Sequence, residues 1–139
     1  MKKLIAFTLL ITITLLFAVS CTGAPDTDVL WNNAIYKSDT ELGDGERQVF
    51  VKVVAGEKSV TFTINTDLTI LGDALSEHGL LEGEEGAYGL YVKKVNGITA
   101  DYDIDASYWG FYKDGEYMMT GVDVTEFTSG EQFELVYTK

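Results

Sequence analysis

The hydrophobic period of the chain changes at residue 66, and this change constrains the fold more than any other feature. Residues 59–65 alternate apolar and polar side chains, which predicts a strand with one buried face. In residues 66–78 the leucines recur at the spacing of one helical face (Leu68, Leu71 and Leu75), and Gly79 then supplies a common helix stop. The pattern predicts a strand that leads into an amphipathic helix, with Thr66 or Asp67 as the N-cap.

Further strands are predicted on both sides of this helix. Residues 48–54 precede the alternating strand closely enough to form a hairpin with it. Other predicted strands cover residues 88–95, 108–113, 116–119 and 132–138, with turns at Asn96-Gly97 and Asp114-Gly115 and a loop over 81–86. One helix laid on several strands is an α+β arrangement. The predicted fold is α+β, a β-grasp-like mixed sheet with one packed helix, and Gly72 indicates close packing of that helix on the sheet.

The first twenty residues have the pattern of a signal peptide. Two lysines precede an apolar run from Leu4 to Phe17, which is shorter than the roughly 20 residues that a membrane-spanning helix needs. Small or apolar residues then precede Cys21, the only cysteine, as in a bacterial lipobox. We expect residues 1–20 to be a lipoprotein signal peptide and Cys21 to be the lipidation site. The alternative is an ordinary secretory signal that ends near a cysteine.

This interpretation sets the expected location and the redox chemistry. The protein is expected to be exported and anchored to the outer face of a bacterial membrane, because several acyl chains on one residue hold a protein there stably. A single cysteine excludes an internal disulfide and a cysteine-based metal site.

Residues 21–46 are interpreted as an acidic tether between the lipid and the domain. The stretch contains the only proline and six Asp or Glu residues against one lysine, and charged linkers repel themselves and extend. Trp31, Ile35 and Tyr36 are the exception, as candidates for docking on the domain in a short turn or edge segment. The folded domain is predicted to cover residues 47–139.

The charge of the chain excludes some classes of partner. Ten Lys or Arg residues against 22 Asp or Glu residues give a net charge of −12. Removing Lys2 and Lys3 with the leader leaves 8 against 22, or −14. Binding a nucleic acid requires clustered cations, so no nucleic-acid partner is expected. Docking on anionic lipids through a basic patch is disfavoured for the same reason.

Patterns for catalysis and metal binding are weak. Residues 101–105 alternate aspartates as a calcium loop does, but Ala106 and Tyr112 occupy the positions where that loop needs Gly and Glu. His78 is the only histidine, and spacing identifies no partner that would make it a catalytic base. Nucleophile-elbow, phosphate-loop and zinc-helix motifs do not occur in the sequence. We therefore expect no metal site, no catalytic residues and no enzymatic activity.

A cluster of aromatic residues is the most informative functional feature. Six of them fall between positions 102 and 117: Tyr102, Tyr108, Trp109, Phe111, Tyr112 and Tyr117. On a strand, Trp109 and Phe111 share one face, and Tyr108 and Tyr112 share the other. An exposed aromatic face is typical of a ligand or partner site, and Met118 and Met119 would line the same surface. The alternative is that the helix and neighbouring loops cover both faces.

The run from Tyr91 to Phe127, YVKKVNGITADYDIDASYWGFYKDGEYMMTGVDVTEF, resembles the C-terminal domain of transcobalamin and intrinsic factor. Many small exported bacterial lipoproteins carry this domain alone. The match extends over residues 47–139, and its most specific parts are Tyr108-Trp109, Asp114-Gly115, Gly121-Val122 and the strand after Gly130-Glu131. The resemblance implies a β-rich domain with one helix. In the family, this domain closes over the upper face of cobalamin, and a separate α-helical domain holds the cobalamin from below.

The resemblance also implies which residues face the ligand. By motif these are Trp109, Gly110 and Phe111 on the outgoing strand and Tyr117 on the returning strand. Gly110 replaces a polar residue of the family, which removes a side-chain hydrogen bond. Because the chain carries no helical domain, a transporter or a second chain is the expected partner that completes the clamp.

The expected function is a membrane-anchored extracytoplasmic binding module that captures a small planar ligand for uptake. Cobalamin or another corrinoid is the candidate ligand, and no cofactor is required. The alternative is a cell-surface protein–protein interaction module or assembly subunit with no small-molecule ligand. A concave pocket beside Trp109 would favour the first function, and a flat patch or a long open edge strand would favour the second.

Overall fold

A computed structural model of the chain describes residues 26–139. The predicted signal peptide and Cys21 lie outside the described residues, and the lipidation site stays a prediction. Between residues 26 and 139, no helix is both long enough and apolar enough to cross a membrane.

The described part contains short helices and nine strands. The strands are β1 (Thr40–Leu42), β2 (Arg47–Ala55), β3 (Lys58–Thr66), β4 (Leu81–Gly86), β5 (Gly89–Val95), β6 (Ile98–Thr99), β7 (Tyr108–Lys113), β8 (Glu116–Tyr117) and β9 (Gln132–Thr138). The helices are α1 (Thr27–Trp31), α2 (Leu71–Glu77), α3 (Tyr102–Asp105) and a 3₁₀ helix at Val122–Val124.

A six-stranded mixed sheet forms the body of the domain, in the order β1-β3-β2-β9-β7-β8. Its two central strands, β2 and β9, are parallel, and each has an antiparallel neighbour, β3 and β7 respectively. The β-grasp arrangement consists of a hairpin, a helix and a second pair of strands, with the last strand beside the first strand of the hairpin. Here β2 and β3 form the hairpin, α2 is the helix, and β9 lies beside β2. The predicted α+β class and β-grasp-like sheet are confirmed.

The core lies on one face of this sheet, beneath α2. The inward residues of β3 are Val60, Phe62 and Ile64, and none is more than 3% exposed. Leu71 and Leu75 of α2 are fully buried against them. Each such side chain contributes roughly 1.5–3 kcal/mol by leaving water, which explains why the alternating pattern is a reliable signal here.

Helix α2 is shorter than the pattern predicts, and its N-cap is Ile70 rather than Thr66 or Asp67. The Thr66 hydroxyl accepts a hydrogen bond from the Leu68 N–H and donates one to Glu77, which closes a local turn before the helix can start. The first helical N–H, of Leu71, donates instead to the carbonyl oxygen of Thr125 at 2.9 Å. Leu68 is therefore left 37% exposed, outside the buried face.

A second sheet has the order β4-β5-β6, and its strand β4 occupies residues 81–86, where the sequence predicts a loop. Strand β4 has one buried residue followed by five exposed ones, so it has no alternation that a pattern could detect. Backbone pairing with β5 holds it, together with cross-strand ion pairs at 3.1 Å between Lys93 and Glu84 and between Lys94 and Glu82. The loop prediction for 81–86 is wrong for this reason.

Residues 26–46 lie along the domain, whereas the sequence predicts an extended tether. Trp31 is 4% exposed, and its Nε1–H donates to the carbonyl oxygen of Ala55 at 2.8 Å. Strand β1 pairs in parallel with β3. Tyr36 packs edge-on against Phe62, as the docking alternative proposes, whereas Ile35 is 53% exposed. The indole of Trp31 and the three-residue strand β1 thus hold residues 26–46 on the domain, although the sequence of this segment has no apolar periodicity.

Gly72 packs against the 3₁₀ helix and not against the sheet. A Cβ atom at this position would lie 2.9 Å from the Cα of Asp123 and 3.0 Å from the carbonyl oxygen of Val122. Both atoms belong to backbone that cannot move aside as a side chain can. Gly72 thus sets how closely α2 approaches the loop that carries one wall of the cavity described below.

We expect Gly72→Ala to destabilise the protein by about 1–2 kcal/mol, because overpacking outweighs the roughly 1 kcal/mol that alanine gains in a helix. Urea unfolding measures the difference. Ser76→Ala, at an exposed position of the same helix, is the matched control and should be neutral or slightly stabilising. A Gly72→Ala protein as stable as the wild type would contradict this packing.

Candidate functional site

A cavity of about 580 Å³ opens beside β7. Its volume falls within the range of about 300–1,000 Å³ that is usual for small-molecule sites. Strand β7 lines it together with β5, helix α3 and the segment from Tyr117 to Val122. Six aromatic side chains line it: Tyr91, Tyr102, Tyr108, Trp109, Phe111 and Tyr117. We call this the aromatic cavity.

Strand β7 forms the floor of the aromatic cavity. Trp109 and Phe111 lie on one face of the strand, as the alternation predicts, and each is 8% exposed. Strand β9 supports both rings from the side: Tyr137 packs edge-on to Trp109 at 5.8 Å, and Phe133 stacks on Phe111 at 5.7 Å. The floor is therefore held in place by core packing, because both side chains belong to the buried core.

Gly110 lies between these two residues but is not part of the cavity lining. It is buried, and a Cβ atom there would lie 2.9 Å from the ring of Tyr112. The close approach of the Tyr112 ring explains why a glycine occupies this position. The implied role of Gly110 at the ligand stays a prediction that this geometry does not favour.

The rim of the cavity is aromatic and exposed. Tyr117 lines it with 58% of its side chain in solvent, and Met119 lines it at 91% exposure. Met118 is half-buried, and its N–H donates to the carbonyl oxygen of Phe111 at 2.9 Å. The structure thus brings Trp109, Phe111, Tyr117 and both methionines to one concave surface, whereas Tyr112 lies outside it against Tyr117.

Strand β5 supplies a wall that the pattern analysis misses. Leu90, Tyr91 and Val92 line the cavity from the second sheet. Nothing in their spacing points to a site, because the contact with β7 joins strands of different sheets. The only signal for them is the family resemblance, whose matching run begins at Tyr91.

Asp123 joins this wall to the 3₁₀ helix at Val122–Val124. Its carboxylate accepts a hydrogen bond from the Leu90 N–H at 3.2 Å, and it lies in the 3₁₀ helix that follows Gly121. The Thr125 hydroxyl donates to the carbonyl oxygen of Gly121 at 2.7 Å and fixes the same loop. The carboxylate of Asp123 therefore ties β5 to the 3₁₀ helix.

Two of the three alternating aspartates are already engaged. Asp105 accepts from the hydroxyl and backbone N–H of Ser107, which lowers the pKa of Asp105 below its usual 3.8, and Lys139 adds to this effect. Lys93 lies between Glu84 and Asp101, and the hydrogen bond with Glu84 is the main reason that its pKa is raised. Both carboxylates thus stabilise the loop around α3.

Among residues 26–139, Asp103 is the only charged residue that lines the aromatic cavity. It is exposed, and its carboxylate has no hydrogen-bond or ion-pair partner within residues 26–139. In the same range, no three His, Cys, Asp or Glu side chains lie close enough together to hold a metal ion.

Two buried nitrogen atoms lack hydrogen-bond partners among the described residues: Nε1 of Trp109 and Nε2 of His78. An unsatisfied buried donor costs about 1–3 kcal/mol, so the indole of Trp109 stands out in the cavity floor. His78 lies at the C-cap of α2, away from the cavity lining, with its Nε2 3.9 Å from Glu77.

Comparison with known proteins gives a relative at substantial identity. No protein-family model and no curated protein match the chain. A suggested metal-binding protein from Ruminococcus gnavus ATCC 29149, solved at 1.30 Å resolution, is 35% identical, with a TM-score of 0.64. The match covers 68% of this chain and 98% of that one. The chain belongs to the same family as this Ruminococcus gnavus protein.

A second solved structure shares the fold at lower identity. Haptocorrin in complex with Cbi is 18% identical, with a TM-score of 0.52, over 70% of this chain. The match covers 26% of the haptocorrin chain, so this chain corresponds to about a quarter of that protein. At this identity the likeness shows the fold alone, and it supports the predicted transcobalamin-like fold of the domain.

We expect Asp123→Ala to destabilise the domain by about 1–2 kcal/mol, because the Leu90 N–H loses a charged acceptor. Urea unfolding measures the effect, and backbone NMR shifts should change in both β5 and the 3₁₀ helix. Glu126→Ala is the control: this exposed residue lies three positions away, and its side chain makes no hydrogen bond within residues 26–139. Equal effects of the two substitutions would show that Asp123 does not join the walls.

Proposed function

We propose that this protein is an exported binding module that captures a small, planar, largely apolar ligand in the aromatic cavity. The proposal includes no covalent chemistry: the ligand is held by burial of apolar surface and by contacts with aromatic rings. The observation that carries it is the cavity itself, which is concave, has the volume of a small-molecule site and is lined by six aromatic side chains.

A corrinoid is the ligand that we propose first. The solved haptocorrin structure with this fold holds Cbi, a corrinoid. Independently of that likeness, the aromatic cavity has Trp109 and Phe111 in its floor and Tyr117 at its rim, and aromatic side chains of this kind suit contact with a large planar ring. Since this chain matches only 26% of haptocorrin, we propose that a second chain or a transporter covers the other face of the ligand.

The metal-binding role suggested for the Ruminococcus gnavus relative does not fit the residues described here. Hard metal ions need several oxygen ligands at one point. Asp101 and Asp105 are engaged with lysines, and within residues 26–139 no group of three ligand side chains comes together. We therefore do not extend that role to this chain.

A protein partner is the second candidate for the same surface. Apolar side chains close in sequence to the cavity lining are widely exposed: Ile104, which follows Asp103, is 82% and Val124, two residues after Val122, is 63% in solvent. Exposed apolar surface of this kind is typical of protein interaction sites. The concave cavity nevertheless favours a small ligand, because a flat interface would leave its volume empty.

We also propose that Cys21 is lipidated and that the anchor holds the domain close to the membrane. Because residues 26–46 pack on the domain, only four residues separate Cys21 from Asp26. At about 3.5 Å per residue, the chain from Cys21 to Asp26 spans at most about 18 Å. This distance is far shorter than that of the predicted 26-residue tether.

The first test of the ligand is a titration with cobinamide and cobalamin, followed by tryptophan fluorescence and corrin absorbance. We expect saturable binding that Tyr117→Ala weakens by about tenfold, since aromatic residues supply much of the binding energy at such sites. Tyr88→Ala is the matched control, because Tyr88 is fully exposed and lies outside the cavity lining. Absence of binding at about 1 mM ligand, or equal effects of both variants, would reject a corrinoid at this site.

The anchor is tested by Cys21→Ser in the native host or a bacterial expression host. We expect the protein to move from the membrane fraction to the soluble fraction and to lose the mass of its acyl chains, because the lipid is the proposed anchor. Thr22→Ser, one residue later, should leave the fractionation unchanged. Membrane retention of the Cys21→Ser protein would contradict lipidation as the anchor.

A further inference from the structure

We infer that the aromatic cavity selects its ligand by charge: it accepts a small organic cation carried on an apolar body and disfavours anions of the same size. This inference rests on the proposed binding function and adds the chemical class of ligand to it. It follows from three features of the cavity: its exposed aromatic rings, its carboxylate and the lack of a cationic side chain in the lining formed by residues 26–139.

The first feature is the exposed aromatic rim. Tyr102 and Tyr117 line the cavity and are 60% and 58% exposed, so a ligand can reach them. Tyr91, 40% exposed, also lines the cavity, but its ring already has the ammonium of Lys93 beside it. The face of an aromatic ring carries a negative quadrupole that attracts a cation within about 6 Å of the ring centre. Several rings around one opening form an environment typical of quaternary ammonium sites.

The second feature is Asp103, which lines the same opening from α3. Asp101 and Asp105 on either side are paired with Lys93 and Lys139, whereas the carboxylate of Asp103 has no partner within residues 26–139. A free carboxylate beside aromatic rings attracts a cation and repels an anion. Because Asp103 is exposed, solvent and salt weaken this attraction, and its effect on affinity should be modest.

The third feature is that no Lys, Arg or His contributes to the cavity lining formed by the described residues. Lys93 is a nearby cation, with its ammonium 5.9 Å from the centre of the Tyr91 ring. It is engaged by Glu84 at 3.1 Å and by Asp101 at 3.6 Å. An anion would therefore meet no free positive side chain in the lining, and the chain's net charge of −12 would oppose its approach.

The test uses three probes of one shape that differ in charge. They are (4-hydroxyphenyl)trimethylammonium, 4-tert-butylphenol and 4-hydroxybenzenesulfonate, which are cationic, neutral and anionic. Affinities for the purified protein are measured by calorimetry and ligand-observed NMR. We expect the cation to bind about tenfold more tightly than its neutral isostere, and the sulfonate to bind most weakly. Added salt should weaken binding of the cation only.

Asp103→Asn tests the local carboxylate. We expect it to reduce the affinity for the cation by about two- to fivefold and to leave that of the neutral probe unchanged. Asp44→Asn is the control, since Asp44 is exposed beyond β1, at the opposite edge of the main sheet from the cavity. It removes the same charge and should change neither affinity. Equal losses in the two variants would overturn the role of Asp103 and show only a long-range effect.

The failure of this inference and the failure of the proposed function give different results. If the three probes bind with equal affinity, or the neutral probe binds best, the cavity binds small molecules but does not select them by charge. If cobinamide binds and none of the probes does, charge selection is again overturned while the ligand proposal stands. If neither cobinamide nor any probe binds at about 1 mM, both proposals are overturned.

Discussion

The parallel pairing of β2 with β9 is the constraint on which the rest of the structure depends. It joins the first long strand to the last, in register from Phe50 with Gln132 to Val54 with Val136. Parallel neighbours need a long crossover, and here that crossover contains α2, the second sheet, α3 and β7. Strand β9 then fixes β7 on its other side, where Trp109 pairs with Tyr137 and Phe111 with Leu135. The cavity floor therefore owes its position to a pairing between the two ends of the domain.

The cavity exists because the two sheets approach each other without pairing. Strands β5 and β7 belong to different sheets, so no ladder of hydrogen bonds closes the space between them. Asp123 ties β5 to the 3₁₀ helix, and Gly72 lets α2 approach that same loop. The 3₁₀ helix is thus positioned from two directions: α2 packs against it at Gly72, and the carboxylate of Asp123 bonds it to β5. A floor built from core residues with a rim of exposed ones combines a rigid shape with access for a ligand.

What the sequence could predict depends on how local each signal is. Val60, Phe62 and Ile64 alternate because one face of β3 is buried, and Asp114-Gly115 takes the positive φ angles of 50° and 81° that a two-residue hairpin turn requires. Trp109, Phe111 and Tyr117 could be placed together because they belong to one hairpin. By contrast, β4 is exposed on both faces and has no alternation. The start of α2 depends on a backbone hydrogen bond from the Leu71 N–H to the carbonyl oxygen of Thr125. The cavity wall formed by β5 belongs to another sheet than β7. These features depend on long-range contacts that no spacing in the sequence records.

The packing of residues 26–46 also changes how the cavity faces its surroundings. Thr27 accepts a hydrogen bond from the Glu57 N–H at 3.1 Å, which places the start of the described chain at the β2–β3 turn. Through the parallel β2–β9 pair and the antiparallel β9–β7 pair, this turn lies at the same end of the sheet as Tyr108. Helix α3, with Tyr102 and Asp103, leads into that end of β7. If Cys21 carries the proposed lipid, the anchor joins the domain at the end of the sheet where α3 lies, so the α3 side of the cavity would be the side nearer to the membrane.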